Sequence, residues 1–558
     1  MKRFLCMLAC IALVLTAGGC QQVVDVLDAL TAEKSVANET LVESEWDADM
    51  DGLYAAPNAA PYAAMGGYNS ASYAVPRGRM TVLPGDPWFT EEYAHETENG
   101  FISPRTSPLS TFAADVDTAA YANVRRLIRD QWPIDPDAVR IEEMLNAFRY
   151  DYAAPTGGAP LAIHTQVAPC PWNDKSLLLR VGLKAEDIAA DDLPPANLVF
   201  LIDTSGSMDE PDKLPLAQRS FALLAEQLTA RDRVSVVAYA GYAAVVLDGV
   251  RGDETATILG AIGDLSARGG TAGSEGIATA YALASRYAAP GVNSRVILAT
   301  DGDFNIGPQS EAELIRLIEE QRAGGVFLTV LGFGTGNLKD NKMEALADHG
   351  NGNATYIDTV HQARRALVEE MGATLNVVAK DVKLQVEFNP ATVEGYRLIG
   401  YENRLLAAED FADDTKDGGE IGSGHCMTAL YEIYPVGAGM MPEIPLTYQA
   451  AATTDSTDYA TIHLRYKAPE GDTSTELVQA VPAEALTDAP DEDFRLAMSI
   501  AAFGQLLKDS AWKGSADQQM VLDLLQPLLS GDTGGRIVEL SSLVRESGGL
   551  YGKAAQAR

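Results

Sequence analysis

Apolar residues are spaced differently in successive parts of this chain, and each spacing predicts a different kind of element. Behind Lys2-Arg3 runs a short apolar block, Phe4 to Leu15. From Gln21 to about Phe89 no apolar period is sustained, and Ala, Tyr, Asn, Gly, Ser and Pro dominate. Such a stretch cannot bury enough surface to offset its ordering entropy, which predicts a disordered tether. Helical spacing begins after Pro108. Tyr121, Val124 and Ile128 share a face of a helix over Ala119 to Arg129, with Thr118 as its N-cap. Beyond Pro133 and Pro136, a stripe of Val139, Ile141, Met144, Leu145 and Phe148 predicts a second helix over 137–148. Alternation around Leu161 to Gln166 and Leu177 to Leu183 predicts strands.

The middle of the chain alternates short apolar runs with helical segments. Strands are expected at 197–202, 233–240, 244–250, 295–299, 326–333 and 355–357. Helices are expected at 214–228, 255–265, 274–287, 311–321, 340–349 and 360–375. Strands 233–240 and 244–250 read as a hairpin through Gly241. The whole is an α/β fold, a doubly wound, mostly parallel sheet with helices on both faces. After Ala379 the period returns to two at 382–388, 396–398, 429–434 and 459–466, a strand-rich layer read as a β-sandwich that includes residues 161–196. The acidic, glycine-rich run 410–424 is expected to be a loop. A last helical part starts near Asp493, with Phe494, Ile500, Phe503 and Leu507 on one face, and continues through Val521 to Leu529.

The candidate chemistry sits where the apolar run Leu198 to Ile202 ends in Asp203-Thr-Ser205-Gly-Ser207. Alternating short oxygen side chains on a tight loop suit a small hard cation such as Mg²⁺, which takes oxygen ligands at about 2.0–2.1 Å. Carboxyl ends of strands in open α/β sheets are where ligands bind. This loop resembles the DxSxS signature of the von Willebrand factor type A domain, the first part of its metal-ion-dependent adhesion site. Gly269-Gly270-Thr271 resembles the second loop, and Ala299-Thr300-Asp301-Gly302, after the run Arg295 to Leu298, resembles the third. The run from Leu109 to Arg126, followed by 139–146, is similar to the extension that precedes the domain in a family of bacterial type A lipoproteins. The segment after Asp493 resembles that family's carboxyl-terminal domain.

The resemblance implies that Ser205, Ser207 and Thr271 bind the metal directly, and that Asp203 and Asp301 act through water or hydrogen bonds. The cofactor is expected to be Mg²⁺, or Mn²⁺ or Ca²⁺. Two carboxylates beside a dication leave little surplus negative charge, so a partner protein presenting Asp or Glu can fill an open position. The expected function is a metal-dependent protein-binding module of the cell envelope, not an enzyme. A second reading is an envelope scaffold in which the metal only stabilises the fold. A hydrolase using Ser205 or Ser207 is disfavoured, because no GxSxG elbow surrounds either serine and no histidine lies nearby in sequence.

The front of the chain bears on location. Basic residues, a short apolar block and a small-residue site form a secretory signal, too short for a membrane span. Cys20, after two glycines, resembles the acylated cysteine of bacterial lipoproteins, although Ala17 stands where the family prefers a larger aliphatic residue. The expectation is a lipid anchor at Cys20 in the cell envelope, with the outer membrane implied by Gln21. Simple secretion is the alternative. The chain divides into signal peptide 1–19, tether 20–89, amino-terminal extension 90–196, type A domain 197–375, strand-rich domain 376–480 and helical domain 481–558.

Composition narrows the partners. A net charge of −36 repels nucleic acid and anionic membrane surfaces and is compatible with recruiting cations. Of five cysteines, only Cys170 and Cys426 lie beyond the signal and anchor, either pairing or standing as buried thiols. The six histidines are scattered, with no spacing for zinc or haem. Two stretches imitate calcium loops, Asp47 to Gly52 and Asp301 to Asn305. Neither carries the terminal glutamate, since Asn58 and Ala312 hold the twelfth positions. Arg251-Gly252-Asp253 spells an integrin-binding tripeptide by chance and is expected to cap a helix.

Overall fold

The computed structural model describes residues 91–550 apart from 115–116, 190–191, 271–272, 303–307, 337, 371, 373–374, 417, 443–453 and 470. The signal peptide, Cys20, the tether and the 47–52 loop lie outside the described residues, as do Asp115, Thr271, Asp303 and Asn305.

Three strands come first, β1 (Leu109–Ala113), β2 (Leu161–Pro169) and β3 (Leu177–Ala185). The middle of the chain then builds one sheet from β4 (Ala196–Asp203), β5 (Arg233–Tyr239), β6 (Ala243–Arg251), β7 (Asn293–Thr300), β8 (Val326–Phe333) and β9 (Ala354–Ile357), ordered β6-β5-β4-β7-β8-β9. Neighbours are parallel except the β5–β6 hairpin. On β4, Leu198, Phe200 and Ile202 pack against helices Leu214–Ala225 and Thr255–Gly263 on one face. Val199 and Leu201 pack against helices Gly273–Tyr287 and Asp340–His349 on the other. Cover on both faces is why Leu198 to Ile202 of this strand are apolar without a break. The expected doubly wound sheet is present.

The later strands are β10 (Val377–Phe388), β11 (Val393–Ile399), β12 (Leu405–Leu406), β13 (Gly419–Gly422), β14 (Cys426–Pro435), β15 (Ala460–Lys467) and β16 (Ser474–Val481). They combine with the first three into two facing sheets. One runs β12-β1-β10-β15-β16 with β13 beside β10, the other β11-β14-β3-β2. Leu179, Val181, Leu384, Tyr431 and Ile462 meet between them. The outer face of the second sheet, at Leu178, Ile399 and Leu430, is covered by the helix Glu492–Lys508 and by residues from 121–148 and 521–544. The amino-terminal extension therefore shares its cores with the carboxyl-terminal part.

Several local expectations need correction. The predicted helix 137–148 is a 3₁₀ turn, Pro136–Ala138, followed by a helix over Ile141–Asn146. Arg140 between them is extended, and its guanidinium pairs with Glu143, Asp340 and Glu344. Thr118 occupies the N-cap position of helix Ala119–Arg129 without capping it. Asp117, just before the helix, is engaged elsewhere. It accepts a hydrogen bond from the Ala354 backbone and pairs with Arg404, 3.1 Å away, tying β9 to the sandwich. The helix expected over 360–375 ends at Arg364 and widens into a π turn, where Arg365 and Glu370 reach Glu539 and Arg536. The loop 410–424 contains strand β13. Asp253 pairs with Arg251 rather than capping a helix.

Candidate functional site

The loop after β4 turns within five residues. The Ser205 backbone N–H donates to Oδ1 of Asp203 at 2.8 Å, a local turn that aspartate favours. The hydroxyls of Ser205 and Ser207 lie 3.0 Å apart. Ser205 is buried and Ser207 exposed, so the pair runs from the sheet end to the surface. The second loop is docked on the first: Gly206 N–H donates to the Gly269 carbonyl at 3.1 Å, and Arg268 N–H to the Thr204 carbonyl at 2.7 Å. Gly269 takes a φ of +82°, which favours glycine. Thr271 follows outside the described residues. Asp301, at the end of β7, is buried and completes the described set beside Asp203.

Asp203 is held under tension of charge. It is fully buried, and its Oδ2 makes no hydrogen bond, with the Tyr239 phenol beside it. Burial pushes its pKa up to about 6; the Ser205 N–H and hydroxyl counter this, and the charge of Asp301 adds to it. Beside the Tyr239 hydroxyl, this carboxylate keeps acceptor capacity for a cation or its water. The residues fit an oxygen-ligated dication. Two neighbouring ligands of an octahedral Mg²⁺ are about 2.9 Å apart, given Mg–O distances of about 2.0–2.1 Å. That is the spacing of the two serine hydroxyls. Among the described residues, no group of three or more His, Cys, Asp or Glu side chains is placed to hold a metal, so any ion here depends on hydroxyls.

Sequence reasoning missed Lys213. Its ammonium lies 2.9 Å from Oδ2 of Asp301, and both side chains are nearly sealed from solvent, at 9% and 0% exposure. The signal was available: Lys213 is the N-cap of helix Leu214–Ala225, where the helix dipole disfavours a cation and a lysine needs another reason to stand. Cys170 and Cys426, in contrast, are free and buried.

A sheet of this topology, carrying Asp-x-Ser-x-Ser on the first loop with Arg268 and Gly269 docked against it, defines a von Willebrand factor type A domain protein. The profile of the von Willebrand factor type A domain matches residues 197–369, and one described as von Willebrand factor matches 88–180. Domains of this class are interaction and adhesion modules. A third profile, "Uncharacterized protein YfbK, C-terminal", matches residues 373–550. The chain belongs to the YfbK family. It is 39% identical over 472 residues to "Uncharacterized protein YfbK" of Escherichia coli K12, covering 83% of this chain and 82% of that one. "Uncharacterized protein sll0103" of Synechocystis is 30% identical over 228 residues, covering 40% of this chain and 51% of its own. Among solved structures, a von Willebrand factor type A protein from Catenulispora acidiphila aligns with 70% of this chain and 91% of its own, at 18% identity and a TM-score of 0.41.

Proposed function

We propose that this protein captures a carboxylate of a partner protein through a divalent metal held by Ser205, Ser207 and Thr271, with Asp203 and Asp301 behind them. Mg²⁺ suits the hard oxygen donors, with Mn²⁺ or Ca²⁺ as substitutes. The observation that carries the reading is the 3.0 Å pair of serine hydroxyls above the buried, unsatisfied Oδ2 of Asp203. When bound, the metal supplies an open coordination position for an Asp or Glu. The chain's own residues fix the hydroxyls, exclude water from the inner side and limit the negative charge. Each serine hydroxyl contacts the other, an arrangement that serves ligation rather than nucleophilic attack.

Lys2-Arg3, the apolar block after them and Cys20 support a module anchored to the cell envelope by a lipid and spaced by the tether. No helix among the described residues is long and apolar enough to cross a membrane. The test uses the full chain and its Asp203→Ala variant. Mn²⁺ binding is followed by electron paramagnetic resonance, then both proteins are immobilised in Mg²⁺ and challenged with envelope extract. Binding of Mn²⁺ by the unmutated chain alone, with a protein released from it by chelator, supports the reading. Equal Mn²⁺ binding by both chains sinks it.

A further inference from the structure

Lys213 has no role in the metal ligation just described, yet much of the surrounding structure is shaped around it. Its aliphatic stem passes under Gly334, just after β8, where an added Cβ would lie 2.4 Å from the lysine chain. Gly334 also takes a φ of +77°, so a side chain there is excluded by conformation as well as by space. The stem thus lies against Gly334 beyond the end of β8, and delivers the ammonium to Asp301 just after β7. An ammonium placed at a helix N-terminus, nearly sealed from water, is costly unless its partner compensates it.

We infer that Lys213 is a built-in counter-ion of the metal site, weakening metal affinity so that the bound ion keeps positive charge for the partner's carboxylate. The inference rests on the proposed metal-dependent reading. Asp203 and Asp301 alone would cancel a dication. With Lys213 on Oδ2 of Asp301, one negative charge remains to face the metal, and the metal-bound site stays positive. The ammonium also occupies one oxygen of Asp301, which leaves that carboxylate better suited to ordering a metal-bound water than to direct ligation. In the metal-free protein the same ammonium keeps Asp301 from being a buried, uncompensated charge.

The sign of the effect separates this role from a merely structural one. Loss of a structural residue weakens a site, whereas loss of a competing charge tightens it. Even at the dielectric constant of water, a unit charge and a dication about 6 Å apart interact strongly enough for a roughly tenfold change in affinity. The experiment measures Mn²⁺ affinity by electron paramagnetic resonance, and melting temperature with and without metal, for the full chain and for Lys213→Met and Lys213→Arg. Lys213→Met is expected to bind Mn²⁺ at least fivefold tighter, to melt lower without metal and to gain more from metal than the unmutated chain. Lys213→Arg restores the original affinity. A folded Lys213→Met that binds no tighter overturns the inference alone. An unmutated chain that binds no Mn²⁺ overturns both it and the reading beneath it. If Lys213→Met does not fold, Asp301→Asn is compared with the double variant Lys213→Met/Asp301→Asn, whose site charge equals the original. The double variant is expected to bind Mn²⁺ tighter than Asp301→Asn, and equal or weaker binding overturns the inference.

Discussion

Arg125 forms a two-point ion pair with Asp358, its Nε 2.8 Å from Oδ2, although the residues are 233 positions apart. Arg125 lies on helix Ala119–Arg129 and Asp358 just after β9, so the pair fastens the extension to the type A sheet. The same guanidinium reaches Glu539 on helix Arg536–Glu546 at 3.2 Å, and Arg129 and Arg365 converge on that glutamate from either side. One buried cluster thus joins three parts of the chain.

Removing the centre of that cluster leaves buried carboxylates unpaired. Arg125→Met is expected to cost about 3–5 kcal/mol of stability, the usual penalty for breaking a buried pair from one side. Urea unfolding checks the magnitude. Limited proteolysis is expected to release fragments at the junction before the sheet itself is cut.

Acid attacks the same junction. Burial pushes the Glu539 carboxyl up, but the guanidinium groups of Arg125, Arg365 and Arg129 outweigh it and hold the pKa at about 2, against 4.5 when unfolded. A lowered pKa contributes stability that is complete above about 4.5 and lost as pH falls through about 2. That contribution is about 3 kcal/mol. The stability gap between the unmutated chain and Glu539→Gln is therefore expected to be constant above pH 5 and to shrink towards pH 2, as read from denaturant melts.

Asp203 has the opposite sign. Its carboxyl is raised from 3.8 to about 6, so at neutral pH its ionisation works against folding of the metal-free protein. Asp203→Asn is expected to stabilise that form by about 2–3 kcal/mol at pH 7, an advantage that fades as pH falls to about 4. On the proposed reading, the same variant is expected to lose metal binding. Unfolding in chelator at the two pH values tests this exchange of stability for function.

Burial pushes the Cys170 thiol up to about 12, and Cys426 donates to the Tyr150 carbonyl inside the helical core. Neither side chain offers a thiolate at neutral pH. Alkylation followed by peptide mapping is expected to label both cysteines only after denaturation, without prior reduction. A peptide linked through the two sulfurs would contradict the structure.

The sequence by itself determined the alternation of the central sheet and the tight turn at Asp203 to Ser207. Both are local properties. Leu198 to Ile202 read as a doubly covered strand because every position is apolar, and Asp203, Ser205 and Ser207 stand close in sequence because one turn presents them. Tertiary structure decided what depends on residues far apart in sequence. Asp117 meets Ala354 and Arg404, more than 230 positions further along the chain. The helix that the apolar stripe predicted is interrupted at Arg140, whose side chain pairs with Asp340 and Glu344, some 200 positions away. Lys213 meets Asp301 across 88 residues, with its stem against Gly334. Periodicity reports which face of an element is dry; it cannot report which distant charge that face will meet.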